Sequence, residues 1–268
     1  MKDVKERIIQ GVQSRASALV SLLMEMVKTE SVNTPGRTTA MAELVRREAS
    51  TFSRHVALAA IEDDRPNVLA RINPGGRPTL VFNSHMDTVP IGDRSQWVHD
   101  PLGAQMEGYS LYGRGSADAK GSLAAMLVAA RLLVEEGIQL QGELILTAVS
   151  DEEVGGAKGT QALLSQGHIR PDLAVIGEIT NNHLAVAEKG VINFELVTRG
   201  RTAHASTPWD GVNAINKMLA LLREVDRALR EQCASGSHPL TPPPSYNIGV
   251  IEGGVKINVV PDRCRALI

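Results

Sequence analysis

The stretch TLVFNSHMDTVP, residues 79–90, decides the architecture of this chain. Thr79–Asn83 is a short, bounded apolar run, which fits a buried central strand. His85 and Asp87 follow at its end. On an extended backbone, residues two apart share a face, so these two side chains point the same way. In an open α/β sheet, ligands gather at the carboxyl ends of the strands. A buried strand that ends in an imidazole and a carboxylate is therefore a candidate site.

The same pattern recurs outward from this stretch. Gly142–Val149 (GELILTAV) is another buried strand, followed by Ser150-Asp151-Glu152-Glu153. Asp172–Ile176 (DLAVI) is a third, followed by Gly177-Glu178. Between the first two lies alanine-rich Ala119–Glu136, a helix ending at Gly137, with Asp118 at its start. Before them, residues 4–28 carry Ile8, Ile9, Val12, Leu19, Leu22, Leu23 and Met26 at helical spacing. A further amphipathic helix is expected over 37–54, then short strands over 55–61 and 67–72. A short helix is expected to end over Leu163–Gly167. Strands alternating with helices predict an α/β fold with a mostly parallel sheet and helices on both faces.

The texture changes near residue 185. Val191–Arg199 alternates, as a half-exposed strand does. Residues 210–231 carry one apolar stripe, including Val212, Ile215, Leu219, Leu222, Val225 and Leu229, opposite charges. Tyr246–Ile251 and Val255–Ile268 read as a hairpin around Glu252-Gly253-Gly254. We therefore expect residues 1–181 to form a metal-binding catalytic domain and 182–268 a smaller α+β domain. The smaller domain is expected to be truncated, because its last strand runs into the C-terminus.

Bulk properties exclude several functions. The net charge is −2 and aromatics make up 3% of the chain, so neither a basic field nor base-stacking platforms invite nucleic acid. No run of eighteen apolar residues predicts a membrane span. Two distant cysteines, Cys233 and Cys264, form no disulfide framework or CxxC pair, which suits a reducing, cytoplasmic setting.

Carboxylates and an imidazole converging at strand ends would repel one another unless cations joined them. His and carboxylate donors open to water suit Zn²⁺, with Co²⁺ or Mn²⁺ as substitutes. Asp118 is the natural bridge between two ions. His85 and Glu178 would complete one site, and Glu153 would hold the other. Asp87 would accept the second N–H of His85 and fix its tautomer. Glu152, pointing away from its neighbour, would act as general base on the attacking water.

The segments SHMDTVP, GRGSADAKG, SDEEVGG, GEIT and GRTAHAS resemble the M20 family of metallopeptidases and amino-acid deacylases. The resemblance covers essentially the whole chain. It implies a zinc-peptidase-like catalytic domain with an inserted lid and dimerisation domain, two Zn²⁺ ions per intact active site, and the ligand roles just given. It implies hydrolysis of an amide bond in N-acyl amino acids or small peptides. It also implies a cis peptide after Asp118 and a homodimer formed through the lid. His204, in GRTAHAS, matches a lid histidine that donates to the developing oxyanion. Asn258, in the Gly253–Pro261 stretch GGVKINVVP, matches a position near the substrate carboxylate.

The family's last metal ligand is a histidine from near the end of a complete chain. His55, His99, His168, His183 and His238 all lie at the wrong place in the order. The competing expectation is therefore a non-catalytic fragment or dimerising module unable to hold a second ion. An aminopeptidase of the M28 type shares the ligand pattern but lacks a GRTAHAS-bearing inserted domain.

Overall fold

Strand β6 (Glu143–Val149) is buried along its whole length, as an apolar strand covered on both faces must be. It lies inside a five-stranded sheet with β1 (His55–Ala60), β2 (Pro66–Ile72), β3 (Thr79–His85) and β7 (Leu173–Ile176), in the order β1-β2-β6-β3-β7. The computed structural model describes residues 2–268. Alternation along β6 divides the core. Leu144 and Leu146 join Leu22, Met26, Met41, Val45, Leu123 and Leu127 on one face, and Ile145 and Val149 join Leu163 and Ile169 on the other. The first face is covered by α2 (Ala16–Lys28), α3 (Thr39–Ala49) and α4 (Lys120–Glu135), with α1 (Lys2–Ser14) packed on α2 and α4, and the opposite face by α5 (Thr160–Ser165).

The α/β class is as expected, but the sheet is mixed rather than mostly parallel. β6–β3 and β3–β7 pair in parallel, while β1–β2 and β2–β6 are antiparallel. The short link between β1 and β2 permits only an antiparallel pair. Among the described residues β7 pairs with β3 alone, so it forms the sheet's edge, and its Leu173 and Ile176 are more than half exposed. The expected single helix over 4–28 is broken at Arg15. Its guanidinium donates to Glu135 at 2.8 and 3.0 Å and to Glu136 at 3.2 Å, on the end of α4. A two-stranded hairpin, β4 (Gln105–Glu107) and β5 (Ser110–Tyr112), turns at Gly108.

Lys120 is the largest fully buried side chain, at 1% exposure. Its ammonium donates to the carbonyls of Met26 (3.0 Å) and Thr29 (2.9 Å) at the end of α2. Exposed carbonyls at a helix C-terminus favour a cation there. Burial still lowers its pKa to about 8, against a smaller opposing pull from Glu30. Lys120 thus ties the start of α4, just after Asp118, to the end of α2.

The chain divides into two compact units, one ending at Asn182 and the other spanning His183–Ile268. The C-terminal unit is a two-layer α+β structure. Helix α6 (Ala214–Ser235) packs Ala214, Met218 and Leu222 onto Cys264 and Ala266 of a sheet ordered β8-β10-β9. Its strands are β8 (Glu195–Arg199), β9 (Val250–Gly253) and β10 (Arg263–Leu267). β9 and β10 do pair antiparallel, but they are joined by a long excursion over residues 254–262 rather than by the expected tight turn. No helix is long and apolar enough to cross a membrane among the described residues.

Asn67, on β2, locks the loop beyond β6 to the sheet. It is 1% exposed, donates to Ala59 and Lys158 carbonyls (3.1 and 2.9 Å), and accepts from the Ser150 N–H at 3.1 Å. Asn67→Ala leaves these buried groups without partners and should lower unfolding free energy by about 2–4 kcal/mol. Urea denaturation at fixed m-value checks this. A change under about 0.5 kcal/mol, the range of ordinary surface substitutions, would mean that the loop holds itself.

Candidate metal centre

β6, β3 and β7 are adjacent and parallel, so their carboxyl ends lie along one edge of the sheet. His85 is the last residue of β3. Glu152 and Glu153 sit in a single 3₁₀ turn shortly after β6. Glu178 lies two residues past β7, and Asp118 two residues before α4. The Asp118–Ala119 peptide is cis.

The structure brings three of these side chains to one point. One ligand atom each from His85, Asp118 and Glu178 all lie within 4.8 Å of one another. His85 Nε2 is 3.0 Å from an Asp118 oxygen and 3.7 Å from a Glu178 oxygen. The imidazole is 1% exposed, whereas the Asp118 and Glu178 side chains are 49% and 38% exposed. The centre is thus anchored from below and open above, as a site that must admit a substrate should be.

Electrostatics define what the cluster demands. Burial alone would lower the His85 pKa, but the Asp87 carboxylate and carbonyl and the Glu178 charge outweigh it and push it up to about 9. Both ring nitrogens face acceptors, the Asp87 carbonyl at 2.9 Å and Asp118 at 3.0 Å. With Nδ1–H donating to the Asp87 carbonyl, Nε2 faces the Asp118 and Glu178 oxygens, where a proton or a cation satisfies them. Burial also raises the Glu178 carboxyl. His85 opposes this rise, and Asp118, Glu152 and Glu153 add to it by repulsion. Glu153 is raised by burial as well, with His85 opposing and Asp118 and Asp87 reinforcing the shift. A group of carboxylates straining toward neutrality around an imidazole is a donor set that fits a divalent cation.

The remaining residues fall into place less evenly. The Glu153 carboxylate is turned to the Val89 N–H at 3.2 Å and is outside the three-residue cluster. Glu152 is exposed. The Asp87 carboxylate lies 3.5 Å from His85 Nδ1, farther than the carbonyl of the same residue. Its shorter bonds run elsewhere. Its two oxygens accept the Glu152 N–H (3.2 Å), the Glu153 N–H (3.2 Å) and the Asn33 side-chain amide (2.9 Å). Burial would raise the Asp87 carboxyl, but the bonds from His85, Asn33 and Glu153 hold it below the usual range.

Ser84 and Asn33 are not legible as site residues in the sequence. Buried Ser84 stands within hydrogen-bond distance of the Gly177 carbonyl (3.0 Å) and the Ala119 carbonyl (3.3 Å). It therefore joins the backbones beside Glu178 and Asp118. An added Cβ at Gly177 would meet Ser122 at 2.8 Å and Ser84 at 3.0 Å, so only glycine fits this approach. Asn33 lies in SVNTP, which reads as turn chemistry and carries no signal of a partner 54 residues away.

In the C-terminal unit, His204 is exposed. Its Nδ1 accepts from the Ser206 backbone N–H at 3.2 Å and lies 2.7 Å from the Ser206 hydroxyl, which leaves Nε2 to carry the proton. Asn258 is also exposed, and its carbonyl accepts from the Ala205 N–H at 3.1 Å. His204 and Val259 form an antiparallel bridge, so GRTAHAS and the NVVP stretch lie side by side.

Comparison with known proteins agrees with this architecture. The chain is 33% identical over 263 residues to a succinyl-diaminopimelate desuccinylase of Methylocella silvestris, covering 94% of this chain and 66% of that protein. It is 32% identical over 262 residues to a probable carboxypeptidase of Aspergillus clavatus, covering 94% and 57%. The chain thus spans between about half and two thirds of the length of these relatives. Among solved structures, an M20 family metallo-carboxypeptidase from Sulfolobus solfataricus shares the fold, with TM-score 0.66 at 18% identity, covering 93% of this chain and 70% of that one. Human carnosine dipeptidase 1 does so with TM-score 0.64 at 19% identity, covering 98% and 71%. Residues 81–252, which include every carboxylate and imidazole of the cluster, match the model of peptidase family M20/M25/M40, and the chain belongs to that family.

Proposed function

We propose that this chain carries the metal-binding and proton-transfer residues of an amide hydrolase acting on N-acyl amino acids or small peptides. The convergence of His85, Asp118 and Glu178 within 4.8 Å is the observation that carries this reading. The names of the relatives, a desuccinylase and a probable carboxypeptidase, point to the same bond class. A divalent ion, Zn²⁺ by donor chemistry with Co²⁺ or Mn²⁺ as substitutes, supplies Lewis-acid polarisation of the amide carbonyl and acidifies water.

The protein's own residues do the rest. His85 presents Nε2 to the centre because its Nδ1–H is engaged by the Asp87 carbonyl. Glu152 is exposed and its backbone is held by Asp87, so its carboxylate is available to take a proton from the attacking water. The same carboxyl then returns that proton to the leaving amine. His204, with Nε2–H free, is suited to donate to the developing oxyanion, and Asn258 to receive the substrate carboxylate. A homodimer formed through the C-terminal unit, and a cytoplasmic setting, belong to this reading.

Asp118 and Glu153 offer two donors to a second ion, fewer than the three protein ligands usual for catalytic zinc. That pair is expected to hold an ion less firmly than the three-residue cluster, which predicts unequal metal binding, and a non-catalytic module is the alternative reading. Equilibrium dialysis against Co²⁺ should show one firmly held ion per chain and another held weakly. Loss of a ligand's hydrogen-bond partner commonly costs about 10–100-fold in metal affinity, so His85→Ala should weaken the firm site by more than about 100-fold. Unchanged binding in that variant would place the ion elsewhere.

Turnover separates hydrolase from module. With Co²⁺ or Zn²⁺ added, the chain should release amino acid from N-acetyl or N-succinyl substrates. Glu152→Gln should lower the rate by about 10²–10⁴-fold while Co²⁺ stoichiometry stays the same. No release from any such substrate by a fully metal-loaded chain would support the module instead.

A further inference from the structure

We propose that Asn33 is a positioning residue for the candidate catalytic carboxylates, acting through Asp87. The inference rests on the reading of Glu152 as base and Glu153 as ligand. Asn33 is 3% exposed and sits on the segment between α2 and α3. That segment runs alongside the exit of β3 like an added strand. Asn33 N–H donates to the Thr88 carbonyl (2.9 Å), Thr88 N–H to the Ser31 carbonyl (3.0 Å), and the Ser31 hydroxyl to the Met86 carbonyl (2.7 Å). Val32 and Thr88 form a parallel bridge. This frame fixes the Asn33 side chain against Asp87.

The Asn33 amide donates to one Asp87 oxygen at 2.9 Å, and that oxygen also accepts the Glu153 N–H at 3.2 Å. The other oxygen accepts the Glu152 N–H at 3.2 Å. A carboxylate that takes one bond from each of two consecutive N–H groups sets the orientation of their turn. Asn33 sets the orientation of the carboxylate. Among the described residues, no other bond fixes the Glu152 and Glu153 amides to the β3 exit. The placement of the Glu152–Glu153 backbone therefore depends on Asp87, and through it on Asn33, while the Glu153 carboxylate is also held directly by the Val89 N–H at 3.2 Å. Bonds to an ionised acceptor are shorter and stronger than neutral ones, which suits this task.

Amide hydrogen exchange at residues 152 and 153, measured by NMR on the 268-residue chain without added metal, reads this coupling directly. Asn33→Leu keeps side-chain size and removes the donor. It also removes Asn33 Oδ1, a buried acceptor without a partner, which offsets part of the loss and favours a folded variant. We expect exchange at both amides to accelerate by roughly tenfold or more, with β6 and α4 amides unchanged. In an Asp87→Asn background the same substitution should add nothing further, since the two residues act as one unit. Unchanged exchange at 152 and 153, acceleration spread equally over β6, or additive effects in the double variant would overturn the proposal. If Asn33→Leu does not fold, Asn33→Ser, too short to reach Asp87, gives the same three outcomes. The two readings fail separately. Coupling without amide hydrolysis by the parent chain counts against the hydrolase alone, and hydrolysis without coupling counts against Asn33 alone.

Discussion

Like charges cannot gather at the end of one sheet without a counter-charge, and the N-terminal unit is organised around that constraint. Asp118 and Glu178 flank a single buried imidazole, and Glu152 and Glu153 add their charge from beside the cluster. Partial burial makes the Glu153 and Glu178 carboxylates costlier still. Two responses are visible. His85 holds a proton well above its usual range, and Asp87 is wrapped in N–H donors that keep it ionised. Neither neutralises Glu153 and Glu178, whose carboxyls are pushed up. A divalent cation answers the remaining deficit, which is why the same residues are best explained by metal chemistry rather than by an ion-pair network.

The end of β3 distributes this work by strand geometry. Ser84 points to one side and reaches the backbones adjoining Asp118 and Glu178. Asp87, beyond the strand end, reaches the backbones of Glu152 and Glu153. His85 stands between them and faces the centre. Neighbouring residues at the end of one strand and just beyond it thus connect two groups of acidic side chains that come from different parts of the chain. Parallel pairing of β6, β3 and β7 makes this feasible, since only parallel strands deliver their carboxyl ends to a common edge.

Much of this is legible in the sequence because the ligands flank apolar runs. Thr79–Asn83, Gly142–Val149 and Asp172–Ile176 are short, bounded and apolar, so their strands can be placed and the acidic residues after them assigned to one edge. Helix α4 announces itself by composition and by Gly137. What is not legible depends on partners distant in sequence. The N-terminal helix breaks at Arg15, whose guanidinium pairs with Glu135 and Glu136, more than a hundred residues away. Asn33 and Ser84 act on groups that no pattern marks. The antiparallel half of the sheet is hidden because apolar strands do not state their direction. The edge position of β7 is hidden because LAVI reads as an interior strand, and its side chains are exposed here.

The C-terminal unit shows how a weak motif gains meaning from local structure. A histidine in GRTAHAS is, by composition, an ordinary surface residue. Its Nδ1 accepts from Ser206, two residues on, so the ring is held in the tautomer that carries its proton on Nε2. A surface histidine without such a bond interconverts between tautomers and aims nowhere in particular. The antiparallel bridge to Val259 then holds the backbone beneath the ring, and the Ala205 bond to the Asn258 carbonyl joins the other candidate residue to the same platform. Within this unit, short-range bonds therefore set the orientation of the His204 ring and the backbone position of Asn258. A donor fixed in advance stabilises developing charge better than one that must reorganise when the charge appears.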